Sequence, residues 1–254
     1  MKIKIFRRGF NYSQDGRGNR LVIHMQGCNL RCPWCSNPEG FERDGVLMNK
    51  KENPGPKNPC EEWMLEDLLK LCRNSSSLFF DGGGVTFTGG EPTFQREALM
   101  EALQALQRTG IHTAVETNGA NPHLDDFFPL IDQLIMDFKT PDPVKHNAIL
   151  GPGGENLTAN IVKALNEHGD LHIRLPLIHG FNTSDDDIEK FLAVLGKGPK
   201  PHCTFEFLAY HEFGVIKWKQ CGLDYLQEAA WVPPETIRRF NEAFCSNNLK
   251  VVHT

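Results

Sequence analysis

The sequence lacks any long apolar run. Nowhere do about 18 uncharged apolar residues follow one another, so no segment reads as a membrane-spanning helix. It also lacks an excess of positive charge. Its 27 Lys and Arg face 32 Asp and Glu for a net charge of −5, so no global basic field draws in nucleic acid or anionic lipid, and neither is expected as a partner. The first twenty residues carry positive charges but neither an apolar core nor a small-residue cleavage site, so the pattern is not a secretory leader and a cytoplasmic address is expected. Cysteine is sparse, 8 in 254 residues, too thin for a disulfide framework. The 23 Gly and 16 Pro follow no period, which excludes collagen-like and low-complexity classes. A chain of this length buries roughly 70% of its unfolded surface and can hold a sizeable core.

What is present is alternation. Apolar, β-rich runs at 21–26, 85–88, 112–116, 133–138, 170–177 and 203–207 read as strands. Segments of helical period at 61–72, 96–108, 123–130, 156–167 and 185–195 lie between them, with a further helix at 234–245 and a short strand at 250–252. Thr93 is the candidate N-cap for the 96–108 helix, Thr183-Ser184 for the 185–195 helix, and Gly110 suits the residue after a helix end. Strand–helix alternation argues for βαβ units and a parallel sheet, hence an α/β fold. Six strands are too few for a complete eightfold barrel and suit a partial barrel or an open sheet. The stretch 39–59, rich in Pro, Gly and Lys, reads as a long loop that is functional or mobile.

Three of the eight cysteines fall together. Cys28, Cys32 and Cys35 form a CX3CX2C spacing directly after the first strand, so one loop presents three thiols to a common centre. Two readings are open. Structural zinc normally takes four ligands, and no second pair exists here, although His24 or Cys60 could complete a tetrahedron. An iron–sulfur cluster usually takes four cysteines, so three leave one iron open to something other than a side chain.

Further polar groups stand where the other strands end. Gly89-Gly90-Glu91 closes the 85–88 strand, and paired glycines let backbone approach a ligand, though a tight turn gives the same pattern. Asn118-Gly119 after Glu116 is a turn signal. Asp137 and Lys139 flank Phe138 where an apolar run gives way to charge, either a ligand grip or an exposed ion pair. Arg174 lies inside an apolar strand and needs an anionic partner, a bound carboxylate or a core salt bridge. His211 follows the sixth strand.

With these motifs together, the chain resembles the radical S-adenosylmethionine (SAM) superfamily. Within it, the likeness is to activating enzymes of glycyl radical enzymes, those serving pyruvate formate-lyase being nearest in size and layout. The resemblance runs from Asp15-Gly16-Arg17-Gly18-Asn19-Arg20, through the cysteine triad, GGEP, ETNG and DFK, to the Tyr210–Trp218 stretch and the closing residues. Four departures stand out: Arg17 for a Pro, Glu116 for the commoner Asp, Phe138 for a Leu, and His179 where Pro-Gly is usual.

The resemblance implies a single radical SAM domain over 1–254 with a partial (β/α)6, TIM-like barrel. It implies one 4Fe–4S cluster on Cys28, Cys32 and Cys35, its open iron chelating SAM. Trp34, Cys35, Ser36, Gly89, Gly90, Glu91, Asn118, Asp137, Phe138, Lys139, Arg174 and His211 would then hold the cofactor, with Asp137 and Lys139 next to the chemistry. The implied activity is an oxidoreductase of anaerobic metabolism. It cleaves SAM reductively to a 5′-deoxyadenosyl radical, which takes a hydrogen atom from a glycine Cα of a partner glycyl radical enzyme. Many such activases carry a ferredoxin-like insert with further clusters. Here the interval 36–81 holds only Cys60 and Cys72, so the insert is absent or vestigial and an external flavodoxin or ferredoxin is the expected donor to a monomer. Two other functions remain: the same radical chemistry on a small molecule or peptide side chain, and a zinc-bound scaffold.

Overall fold

In the computed structural model, residues 1–49, 55–196, 198, 200–227 and 229–253 are described. Eight strands run in chain order: β1 (Lys2–Tyr12), β2 (Asn19–Met25), β3 (Glu61–Met64), β4 (Gly84–Gly89), β5 (Thr113–Thr117), β6 (Gln133–Asp137), β7 (Leu171–Leu177) and β8 (Cys203–Ala209). The α-helices are α1 (Leu65–Asn74), α2 (Arg96–Gln107), α3 (Pro143–Ile149), α4 (Gly154–Glu167), α5 (Asp185–Leu195), α6 (Val215–Gln220) and α7 (Pro234–Ser246). The chain divides into two compact units, one of Met1–Glu116, Pro129–Asp132 and Glu212–Leu226, the other of Thr117–Phe128, Gln133–His211 and Gln227–Thr254.

The first unit has strand order β3-β1-β2-β4-β5. β2, β4 and β5 are parallel, and β2 and β4 are buried along nearly their whole length, as expected for strands covered on both faces. β1 is antiparallel to both β2 and β3, with an irregularity between Ile5 and Arg7. Arg20 of β2 is fully buried, a costly position for a cation unless every donor is used. Its Nε donates to Thr86 Oγ1 at 2.6 Å and its Nη2 to the Val85 carbonyl at 2.9 Å, while Nη1 reaches the carbonyls of Arg17 and Gly82 at 3.1 and 3.3 Å. That cation ties the 15–20 segment to the start of β4.

The second unit has strand order β6-β7-β8, all parallel, with Asp137 opposite Arg174 and Arg174 opposite Glu206. Its core is aromatic. Phe138 meets Phe191 edge-on at 5.0 Å, and Phe207 meets Phe244 at 4.9 Å. α5 begins with a capping box in which Ser184 and Asp187 satisfy each other's backbone amides.

The six strands read from the sequence are thus β2 and β4–β8. β1 and β3 were not foreseen: β1 begins the chain in a charged stretch, and β3 occupies the first four residues of the expected 61–72 helix. Thr93 does not cap α2; a 3₁₀ turn at Pro92–Gln95 intervenes, and Glu91 caps that turn. The expected 123–130 helix is also 3₁₀, with Pro129 inside it and unable to donate an amide. The 250–252 strand reduces to one bridge between Val251 and Phe205. In the 39–59 stretch, Pro38–Gly40 forms a 3₁₀ turn and Met48 bridges Lys57, while 50–54 lie outside the described residues.

Candidate active site

The cysteine loop leaves β2 and is closed at its base. Gly27 and Cys28 donate their amides to the carbonyls of Gly40 and Phe41 at 3.0 and 3.1 Å. The Gln26 side chain donates to the carbonyls of Glu39 and Glu42 at 2.8 and 2.7 Å. Between these fixed ends the chain turns once more, the Cys35 amide meeting the Cys32 carbonyl at 3.1 Å. Cys32 is buried, and Cys28 and Cys35 are half-buried.

Two backbone amides point at sulfur: Leu30 N–H at Cys28 Sγ and Asn37 N–H at Cys35 Sγ, each at 3.4 Å. Amides aimed at sulfur favour the thiolate, the form that ligates metal. Among the described residues, no three His, Cys, Asp or Glu side chains gather closely enough to hold one metal ion. A 4Fe–4S cluster asks for something different, since each thiolate meets its own iron and the sulfurs stand further apart than around a single ion. The donor set fits the cluster.

The GGEP segment packs directly on this loop. Gly89 is opposite Met25 in the parallel ladder and takes φ +118°, where a side chain would be strained. Gly90 donates to the Met25 carbonyl at 2.9 Å and Glu91 to the Gly27 carbonyl at 2.8 Å. A Cβ on Gly90 would lie 2.3 Å from the Gly27 oxygen and 2.7 Å from that of Gly40. The Glu91 carboxylate, 2% exposed, accepts from the Thr93 amide and hydroxyl at 3.1 and 2.6 Å. The carboxylate thereby fixes the turn, and the backbone of Gly89 and Gly90 remains the close-approach element. Thr88 donates to Glu116 Oε2 at 2.7 Å. Trp34 is buried and Ser36 half-buried on the cysteine loop itself.

In the second unit, Asp137 and Lys139 form an ion pair at 2.7 Å, with the lysine side chain only 8% exposed. The intervening Phe138 turns the other way, into the core, as strand alternation requires. Asn182, which the sequence reading did not single out, is fully buried and stitches this strand end to β7. Its amide donates to the carbonyls of Lys139 and Pro176 at 2.8 and 2.7 Å, and its oxygen accepts from the Ile178 amide at 2.8 Å.

Arg174 donates through Nε to Glu206 at 3.1 Å, and His172 shares that carboxylate at 3.0 Å, so the core salt bridge is formed. Asn118 is buried, its oxygen accepting from the Ala120 amide at 3.0 Å in a side-chain turn. His211 is half-buried, and burial pushes its imidazole below the usual histidine range. His146 is fully buried: Nδ1 meets the Gly151 carbonyl at 3.1 Å, while Nε2 has no partner among the described residues.

The residues expected to hold a cofactor therefore fall into two groups. Cys28, Cys32, Trp34, Cys35, Ser36, Gly89, Gly90 and Glu91 belong to the first unit, where the cysteine loop and GGEP turn are in contact. Asn118, Asp137, Phe138, Lys139, Arg174 and His211 belong to the second. Most follow the carboxyl ends of parallel strands, where α/β folds build their sites. Arg174 differs in lying mid-strand.

A family model described as the Radical SAM superfamily matches residues 22–194. The chain is 28% identical over 263 residues to the 4-hydroxyphenylacetate decarboxylase activating enzyme of Clostridioides difficile (strain 630), covering 83% of each chain. It is 29% identical over 252 residues to the pyruvate formate-lyase-activating enzyme of Streptococcus mutans, covering 95% of this chain and 88% of that one. A crystal structure of a domain of pyruvate-formate lyase-activating enzyme from Bacteroides vulgatus superposes with a TM-score of 0.54 at 25% identity, over 67% of this chain and 98% of that one.

Proposed function

Because this chain belongs to the radical SAM superfamily, we propose that it is the activating enzyme of a glycyl radical enzyme, with 1–254 acting as a single radical SAM domain. The superfamily uses a 4Fe–4S cluster on three cysteines together with SAM, and Cys28, Cys32 and Cys35 are the residues that would hold the cluster here. One observation carries the reading: three thiols on a loop closed at its base, two of them facing backbone amides, with the paired glycines of β4 packed against that loop. When bound, the cluster and SAM supply one-electron cleavage of the sulfonium to methionine and a 5′-deoxyadenosyl radical.

The chain's own residues bind and orient. The Gly89–Gly90 backbone offers close approach without a Cβ, and Glu91 holds its turn rigid. Asp137 fixes the Lys139 ammonium at the strand end, where the pair can grip the polar part of SAM. Arg174 is already balanced by Glu206, so we assign it to supporting that strand end from the middle of β7. His211, kept neutral by burial, suits hydrogen bonding to an uncharged base. The substrate is a backbone glycine of a partner protein, and the task is to place its Cα hydrogen within contact of the 5′ carbon and away from water. The two relatives named above serve different partners, a decarboxylase and a formate-lyase. The donor is a flavodoxin or ferredoxin. Among the described residues no helix is long and apolar enough to cross a membrane.

The test is anaerobic. The protein is reconstituted with iron and sulfide, reduced, given SAM, and assayed for 5′-deoxyadenosine with and without candidate glycyl radical enzymes. Deoxyadenosine together with a glycyl EPR doublet on one candidate is the expected result. Deoxyadenosine without a doublet on any candidate moves the substrate to a small molecule or peptide side chain. Cysteine-to-alanine variants that still turn over SAM would refute the cluster assignment.

A further inference from the structure

The short helix α6 lies against the cysteine loop within the first unit, and its contacts converge on the residues from Cys35 to Glu39. The Lys217 ammonium has three N–H donors. They meet the Ser36 carbonyl at 2.9 Å, Asn37 Oδ1 at 2.7 Å and Glu39 Oε1 at 2.8 Å. The indole N–H of Trp218 donates to the Cys35 carbonyl at 2.8 Å. Gly214, just before the helix, is pressed against the same carbonyl, where a Cβ would stand 2.5 Å from the oxygen. Trp218 is itself wedged edge-on between Phe41 and Tyr225, at 5.6 and 5.5 Å.

The chemistry of this arrangement is directional. Asn37, held by Lys217 through its side chain, is the residue whose backbone amide points at Cys35 Sγ. Glu39 is buried, its second oxygen lacks a partner among the described residues, and Lys217 supplies the balancing charge. An exposed lysine pairing with a surface acid would do none of this.

We propose that α6 is a clamp on the third cluster ligand: Lys217 and Trp218 are positioning residues that hold the Asn37 amide on Cys35 Sγ and thereby set the reduction potential and retention of the group bound there. The clamp rests on the reading that Cys35 ligates the cluster. Hydrogen bonds to ligand sulfur and nearby positive charge both favour the more negative, reduced state and so raise the potential. Removing the lysine loosens the amide and leaves Glu39 uncompensated, and both effects lower it. Removing Lys217 and Glu39 together leaves the local charge unchanged and isolates the effect of geometry.

The experiment compares reconstituted wild type with Lys217→Met, Lys217→Met/Glu39→Gln, Trp218→Phe, Lys217→Arg and the exposed same-helix control Lys219→Met. Readouts are iron and sulfide content, midpoint potential by EPR-monitored titration, and the rate of iron loss to a chelator. For Lys217→Met we expect about a tenfold shift in the reduction equilibrium, as for loss of one charge-assisted hydrogen bond. That is ~59 mV downward for a one-electron couple, with iron loss faster by about the same factor. The double variant and Trp218→Phe shift less in the same direction, Lys217→Arg recovers part of the effect, and Lys219→Met matches wild type. If Lys217→Met fails to fold, the double variant and Trp218→Phe carry the same readouts without an unpaired buried carboxylate. Wild type that takes up a full cluster, with folded clamp variants showing unchanged potential and iron loss, overturns the clamp alone. Wild type that takes up no cluster overturns the cluster reading beneath it.

Discussion

Replacing Gly90 with alanine puts a methyl carbon 2.3 Å from the Gly27 carbonyl oxygen and 2.7 Å from that of Gly40, all backbone atoms that cannot rotate away. Ordinary contact begins at 3.4 Å, so the end of β4 and the base of the cysteine loop must separate by about 1 Å. That movement stretches the 2.8 Å bond from Glu91 N–H to the Gly27 carbonyl, one residue before Cys28. The cost combines overpacking of about 1–3 kcal/mol with a weakened hydrogen bond of about 1 kcal/mol. At about 2–4 °C per kcal/mol for a chain near this size, the melting temperature should fall by roughly 5–15 °C. Retained iron and SAM cleavage should fall with it, since the displaced atoms lead directly into Cys28.

The control is Gly110→Ala, where φ is +70° but no atom lies within 4 Å, so only the left-handed backbone is penalised, by about 1 kcal/mol. Anaerobic calorimetry with iron analysis on both variants is decisive. A Gly90→Ala protein that melts with wild type and keeps its full iron would show that the two segments are not pressed together.

Asn182→Ala should cost about 3 kcal/mol by stranding the Lys139 and Pro176 carbonyls and the Ile178 amide; urea melts measure that loss, and a rise in KM for SAM checks the link to Lys139. His24 is buried beside Arg7 and Lys217, and burial first, then those cations, push its pKa to about 3 from 6.5. The unfolded chain therefore binds a proton that the folded one refuses, and stability falls as pH drops from 6.5 toward 3. The loss reaches about 2 kcal/mol by pH 5, and His24→Gln should flatten urea-melt stability between pH 7 and 5 by that amount. Burial pushes the Cys72 thiol up to about 12 and raises Cys203 as well, whereas Cys245 is exposed. Iodoacetamide at pH 8 should label Cys245 in the native protein and reach the other two only after unfolding, as mass spectrometry of the labelled peptides would show.

The sequence by itself determined the α/β class, the six parallel strands and the residue types at their carboxyl ends. Each is a local property: an apolar run long enough for a buried strand, a CX3CX2C spacing, a glycine pair before a turn. β1 and β3 escaped because both are polar and largely exposed along much of their length, and their pairing depends on partners distant in sequence, Lys2 with Met64 and Arg8 with Ile23. Tertiary structure alone decided who partners whom. It gave Arg174 the carboxylate of Glu206, turned the Glu91 side chain to Thr93, and sent the Phe138 ring into the core. It also brought Lys217 and Trp218 onto Cys35–Glu39 across about 180 residues of chain. No periodicity encodes such contacts. A hydrogen bond between distant segments exists only once the sheet has fixed where both of them end, and that is why the contacts of Lys217, Trp218 and Asn182 could be found in the structure but not in the sequence.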